Sequence, residues 1–462
     1  MEKNSLWLSE IATKPKLGAQ FDDHGPFDVA IVGGGFVGLW TSIWIKSLDP
    51  GLSVAVFEKA QVGHGASGRN GGFAMTWWPK VGRLLEVAGK DDGLWLASET
   101  TRNLEEMQAF LAAENVDAEF DLAGWLWTST SRSHREPWKS VVDTAARYGY
   151  QDVFRPVPAS DLKRRAGSVK HIDAVFERVN GKVHPAKLAY SLGEVAIRKG
   201  VKIFENCETR IERNGSKVSL IASGRAVRAD KIVIASNIAA SVLPELSRSM
   251  VLVTSAIVAT APIPERLADI GWTGGETVTD SQTRLNYYRT TRSGRVVYGM
   301  GVGNLSFGNR LASWVYQDAA GIAMTDRNFR RVYDQLADVP LQFGWSGPID
   351  RTYDGLPLIG TFPASPNVSY GVGWSGNGVG PSRIGGRILA SLALGIKDRW
   401  TDNGFINRAA KSFPPEPIRY VGGRIVRHSV CRKDDFEIQE KSVPLLDRAI
   451  ARLAPAGTED KG

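Results

Sequence analysis

Cysteine is nearly absent: Cys207 and Cys431 are the only two in 462 residues. That excludes a disulfide framework and a thiolate metal site, and points to reduced thiols in a cytoplasmic protein. The six histidines are scattered and form no H-x-x-x-H pair, so no metal is expected. No apolar run is long enough to cross a bilayer, and residues 1–20 carry scattered charges around no apolar centre, which argues against a signal peptide or membrane anchor. Charge of one sign is not concentrated either. The net charge is +8, but Lys163-Arg164-Arg165 is the one compact basic run. This is the pattern of a solvated basic surface, and a nucleic-acid partner is not expected.

What is present is a chain long enough for two domains, with glycine in abundance at 49 residues. The β-branched run at 27–32 leads straight into Gly33-Gly34-Gly35-Phe36-Val37-Gly38, a G-x-G-x-x-G. Gly33 permits the tight turn, Gly35 lets main-chain N–H groups approach a pyrophosphate, and Gly38 lets the next helix lie close on the strand. The helix start at Phe36 and Val37 presents free amides and partial positive charge to the anion. A second strand at 53–57 ends in Glu58, a carboxylate that accepts from a ribose diol and repels a 2′-phosphate. NAD and FAD remain as candidate ligands. A long loop of small residues follows, Lys59 and then Gly65-Ala66-Ser67-Gly68-Arg69-Asn70-Gly71-Gly72, suited to wrapping an extended cofactor.

The G-x-G-x-x-G, Glu58-Lys59 and the 65–72 loop together resemble the D-amino-acid oxidase-like superfamily of FAD-dependent amine oxidoreductases, near its γ-glutamylputrescine oxidase-like branch. Two later segments are similar to the same superfamily: residues 344–360, and the glycine-rich turn at 370–380 ahead of a helix expected over 381–394. The resemblance implies an α/β fold: a Rossmann-like FAD-binding domain of the GR2 type from residues 1–85, 166–248 and 341–415, an antiparallel-sheet substrate domain from 86–165 and 249–340, and an extension at 416–462. It implies FAD contacts from the 65–72 loop, Thr209, Ala235, Ser236, Gly355, Leu356, Gly376, Asn377, Gly378 and Val379. At Ala235-Ser236-Asn237 the usual glycine of the family is missing.

Elsewhere the pattern predicts helices over 91–116, 135–148, a short one capped by Ser160 or Asp161, and one opened by His184-Pro185. Asn214-Gly215 reads as a hairpin turn. Trp7 is expected to anchor an N-terminal arm. Paired Trp77 and Trp78 read equally as a pocket wall or as core. Strands over 251–259, 277–289 and 295–302 should form an antiparallel sheet, with at most one of Tyr287 and Tyr288 facing inward. Tyr287, Arg289 and Trp345 are the candidate substrate-side residues. The tail beyond Thr401 reads as a surface extension.

Amino-acid-oxidising members of the superfamily carry an arginine in a W-x-G-x-R-P setting; Ile349 stands there in this chain, with Arg351 two residues on. The resemblance therefore implies a small amine as substrate. No lysine occurs in residues 295–299, where sarcosine-oxidase-like members place one over the flavin, so oxygen and another electron acceptor are both open. Oxidation of a C–N bond is the expected reaction; a dehydrogenase with a non-oxygen acceptor and a tRNA-modifying flavoprotein are the alternatives.

Overall fold

A computed structural model of the chain describes residues 1–2, 4–22, 25–214 and 217–457. The strand Phe27–Val32 is central to a six-stranded sheet, with Ala229–Ile234 and Val54–Phe57 as its parallel neighbours. Lys202–Phe204 and Ser365–Val372 extend it in parallel on either side, and Leu358–Phe362 closes one edge antiparallel. Val29, Ala30, Ile31, Ala55 and Val56 are fully buried. Burial on both faces is why these strands read as unbroken apolar runs. Helix Phe36–Leu48 packs on helix Pro381–Leu394 so closely that a Cβ at Gly386 would lie 2.6 Å from the Trp40 Cβ.

The second sheet has eight strands in the order Leu341–Arg351, Val251–Thr260, Val296–Met300, Asn286–Thr290, Thr277–Thr279, Trp125–Ser129, Asp173–Glu177 and Phe154–Pro156. Its pairs are antiparallel except Thr277–Thr279 with Trp125–Ser129, which run parallel. These two strands are far apart in sequence, so no hairpin dictates their direction. The strand expected over 277–289 is broken in two. Buried Asp280 causes the break: its carboxylate accepts from the Gln282 and Asn286 amides at 3.2 and 3.1 Å and from Asn286 Nδ2 at 2.7 Å, pinning a loop between the strands.

The predicted helices form as Lys90–Ala113, Lys139–Arg147 and Pro185–Arg198. The short helix starts two to three residues earlier than expected, at Ala159–Ala166 with Pro158 in the cap position, so neither Ser160 nor Asp161 caps it. Thr209–Asn214 and Lys217–Ala222 pair antiparallel, while Gly215 of the expected turn lies outside the described residues. Trp77 and Trp78 are core residues, the first against Phe405 and the second against Tyr150.

The tail is more than a surface extension. Helix Ile418–Ile438 lies over the eight-stranded sheet and is tied down by Asp434, fully buried, which accepts from the Thr283 and Arg284 amides at 3.0 and 2.8 Å and from Arg284 Nε at 3.0 Å. Against the upward push of burial, Arg284 holds that carboxyl below its ordinary range. Among the described residues no helix is long and apolar enough to cross a membrane.

Candidate active site

A continuous cleft of about 2360 Å³ runs between the two sheets, more than twice the roughly 300–1,000 Å³ of a drug-sized ligand pocket. Most residues singled out from sequence line it: Gly33, Gly35, Phe36, Val37, Glu58, Lys59, Gly65, Ala66, Ser67, Arg69, Asn70, Gly71, Thr209, Ala235, Ser236, Tyr287, Gly376, Gly378 and Val379. Gly38, Gly72, Arg289, Trp345, Gly355, Leu356 and Asn377 do not; they stand behind its walls. Gly38 packs on the Gly33 carbonyl, Leu356 is fully buried, and Gly355 lies beneath the tail, where a Cβ would come 2.8 Å from the Gly457 carbonyl. Asn377 donates to the Thr76 carbonyl at 3.2 Å.

At one end the glycine turn is shaped by contacts that only glycine tolerates. Gly33 has φ +110° and a Cβ there would lie 2.5 Å from the Ala235 carbonyl oxygen. Glu58 holds the same turn, its carboxylate accepting from the Gly34 amide at 2.8 Å and the Ala60 amide at 2.9 Å. Burial raises its pKa, opposed by those two amides. Each carboxylate oxygen keeps a second lone pair for a hydroxyl in the cleft. Lys59, at the exposed rim of the cleft, is paired with Glu208 at 2.6 Å. Asn237, where the resembling family has glycine, adopts φ +54°. Asparagine is among the few side chains that enter this region readily, so the turn survives the exchange.

The 65–72 loop is held from behind. Four consecutive carbonyls each accept a hydrogen bond: Gly68 from Ser5 Oγ at 2.8 Å, Arg69 from Trp345 Nε1 at 2.8 Å, Asn70 from Trp7 Nε1 at 2.8 Å, and Gly71 from Arg289 Nε at 3.0 Å. With the carbonyls turned away, the Asn70 and Gly71 amides are presented on the other side, and among the described residues neither donates to a protein acceptor. This is a nest for an anion. Ser67 Oγ accepts from the Phe36 amide at 3.0 Å and so locks the loop onto the helix start. Arg289, fully inside the protein, also donates to the Val183 carbonyl at 2.7 Å and lies over Trp7. Burial pushes its pKa down to about 10, which leaves it charged at neutral pH.

At the other end Tyr287 and Tyr288 face opposite ways. Tyr288 is buried away from the cleft against His171 and Tyr298. Tyr287 enters the cleft beside Gly71, its hydroxyl 2.7 Å from Ser255 Oγ, and Ser255 Oγ donates to the Met300 carbonyl at 2.9 Å. Burial raises the Tyr287 pKa, so the phenol stays neutral. Ile349 and Val253, paired across neighbouring strands, make the adjoining wall apolar.

Sequence reasoning missed Ser255, the 301–305 segment and the tail helix, all of which line this end. The tail signal was legible: residues 418–433 mix apolar and basic side chains and contain no acid. One three-ligand grouping occurs among the described residues, His134, Asp434 and Glu437, with ligand atoms within 4.8 Å of one another. Its carboxylates already serve Arg284, Lys433 and His134.

Residues 28–392 match the family model described as "FAD dependent oxidoreductase" (DAO). Gamma-glutamylputrescine oxidoreductase of Escherichia coli is 26% identical over 404 residues, covering 87% of this chain and 89% of that protein. Probable oxidoreductase OrdL of Haemophilus influenzae is 27% identical over 380 residues, covering 80% and 84%. Among solved structures, glycine oxidase from Geobacillus kaustophilus superposes with a TM-score of 0.66 at 22% identity, covering 80% of this chain and 95% of that one. The fold, the glycine turn and this match over most of the chain place the protein in the DAO family of FAD-dependent oxidoreductases, enzymes acting on the C–N bonds of amines and amino acids.

Proposed function

We propose that the protein oxidises the C–N bond of a primary or secondary amine to an imine, which water then hydrolyses to an aldehyde and ammonia or a smaller amine. The candidate substrates are polyamines, γ-glutamyl amines, N-methyl amino acids and aminophosphonates; the relative named for γ-glutamylputrescine supports the second class. The chain's own residues fit FAD. The Gly33 turn leaves no room for a side chain, Glu58 offers lone pairs to a ribose, and the Asn70 and Gly71 amides offer donors to an anion. FAD held by these residues would supply the redox chemistry, as the acceptor for a hydride from the carbon next to nitrogen.

The observation that carries the reading is the hydrogen-bond chain from Tyr287 to Ser255 to the Met300 carbonyl. Because Ser255 spends its proton on Met300, the Tyr287 hydroxyl donates to Ser255, and its own lone pairs are left to accept. A neutral acceptor beside the apolar Ile349 and Val253 wall orients an amine N–H, and the low polarity favours the free amine over the ammonium. That is the form from which hydride departs. Hydride transfer needs orientation more than an acid or base.

The test is product analysis under air with a panel of amines. An aldehyde should be trapped in proportion to amine consumed, with peroxide formed if oxygen is the acceptor and absent if another carrier is needed. An amine consumed without aldehyde would refute the proposal.

A further inference from the structure

The tail helix Ile418–Ile438 brings one cation to the chemical end of the cleft. Gly423 meets the Leu305 side chain so closely that a Cβ would collide with it. One turn on, on the same face of the helix, half-buried Arg427 reaches the cleft and donates from Nε to the Val302 carbonyl at 2.8 Å. The other cations of this helix that line the cleft are already matched: Arg419 with Glu416 and Lys433 with Glu437. Arg284, beneath the helix, is matched with Asp434 and Asp435. Among the described residues no carboxylate pairs with Arg427, and its two terminal nitrogens remain for an end-on fork.

Position gives this cation its meaning. Val302 lies two residues beyond Met300, the carbonyl that anchors the Ser255–Tyr287 chain. The Val302 amide donates back to the Met300 carbonyl at 2.9 Å, so the chain turns tightly between the two carbonyls. The wall there is apolar, with Val302, Leu305 and Val253 lining the cleft. An acceptor for an amine N–H, an apolar interval and an unmatched guanidinium therefore follow one another along one wall.

We infer that Arg427 determines specificity by pairing with a carboxylate that the substrate carries several bonds away from the amine being oxidised. The substrate class is then an amine with a remote acidic group, such as an unbranched ω-amino carboxylate or a longer amine ending in an amino-acid head. This rests on the amine reading above and narrows it.

The experiment compares unbranched ω-amino carboxylates with alkyl amines of equal length on the FAD-loaded protein, for wild type, Arg427→Gln, Arg427→Lys and Arg424→Gln. Calorimetric titration with glutarate, a carboxylate lacking the amine, is run beside it. The ratio of kcat/KM for acidic over neutral amines should fall about 10- to 100-fold in Arg427→Gln, the factor for losing a charge-assisted hydrogen-bonded pair, with glutarate affinity falling in parallel. Arg427→Lys should fall between, since a point charge remains without the fork. Arg424, exposed on the same helix, should keep the wild-type ratio when changed to Gln. Should Arg427→Gln fail to hold flavin, the Arg427→Lys ratio and its glutarate affinity decide. A wild-type preference for neutral amines, or a ratio that Arg427→Gln leaves intact while both amine sets reduce the flavin, overturns this inference alone. Reduction by neither set overturns the amine reading and this inference with it.

Discussion

Trp345→Phe separates an anchoring role from a catalytic one. The indole is fully buried and does not line the cleft; its polar contact is Nε1 to the Arg69 carbonyl at 2.8 Å. Phenylalanine keeps most of the ring and removes that donor. A buried carbonyl left without its partner costs about 1–3 kcal/mol. The loop relieves this by turning the 69–70 peptide, which moves the Asn70 amide off the cleft. FAD is therefore expected to bind about tenfold more weakly, as ~1.4 kcal/mol implies, while KM for the amine at saturating FAD stays near wild type. Trp7→Phe removes the donor to the next carbonyl, and its ring lies 6.3 Å from Trp345; the two changes should be non-additive in FAD affinity. The assay is titration of flavin-free protein with FAD, followed by tryptophan fluorescence, and then steady-state kinetics. Unchanged FAD affinity together with a raised KM would refute the anchoring role and put Trp345 against the substrate.

Other outcomes follow from single contacts. Tyr287→Phe should lower kcat/KM by about tenfold, the loss of one hydrogen bond to substrate, with FAD affinity retained; stopped-flow reduction checks it. Burial raises the Glu177 carboxyl to about 8, well above the roughly 4.3 of an unfolded chain. The stability of its protonated form is thus fully present below about pH 4 and is lost as pH rises to about 8. Glu177→Gln should therefore gain on wild type in urea-unfolding stability between about pH 5 and pH 8, by ~1.4 kcal/mol for each pH unit crossed in that window. His184 caps helix Pro185–Arg198 by accepting from the Lys187 amide at 3.1 Å; His184→Ala should cost about 1 kcal/mol in the same assay. Asn237→Gly should be tolerated, whereas Asn237→Ala, placed at φ +54°, should be less stable than the glycine variant by about 1 kcal/mol.

The nucleotide end was legible because its chemistry is local. A strand, a glycine turn, a helix start and an acid at the next strand's end are adjacent in sequence, and the structure keeps them so. The role of Asn237 needed the backbone, since only its φ explains how the turn tolerates the missing glycine. Arg289 and Trp345 were visible as unusual residues near the right segments, but alternation along a strand does not tell which side of a two-sided sheet holds the ligand. Both face the 65–72 loop. The split at 280–285 and the reach of the tail helix depend on Asp280 and Asp434, two buried carboxylates whose partners are backbone amides of the 282–286 segment. Nothing in sequence spacing reports that kind of contact.

The most direct test of the central claim is an anaerobic titration of the FAD-loaded protein with primary and secondary amines, each with and without an acidic group, followed in the visible flavin band. Stoichiometric bleaching by amines is predicted, strongest for those with a remote carboxylate. A protein that holds FAD and is bleached by no amine would contradict it.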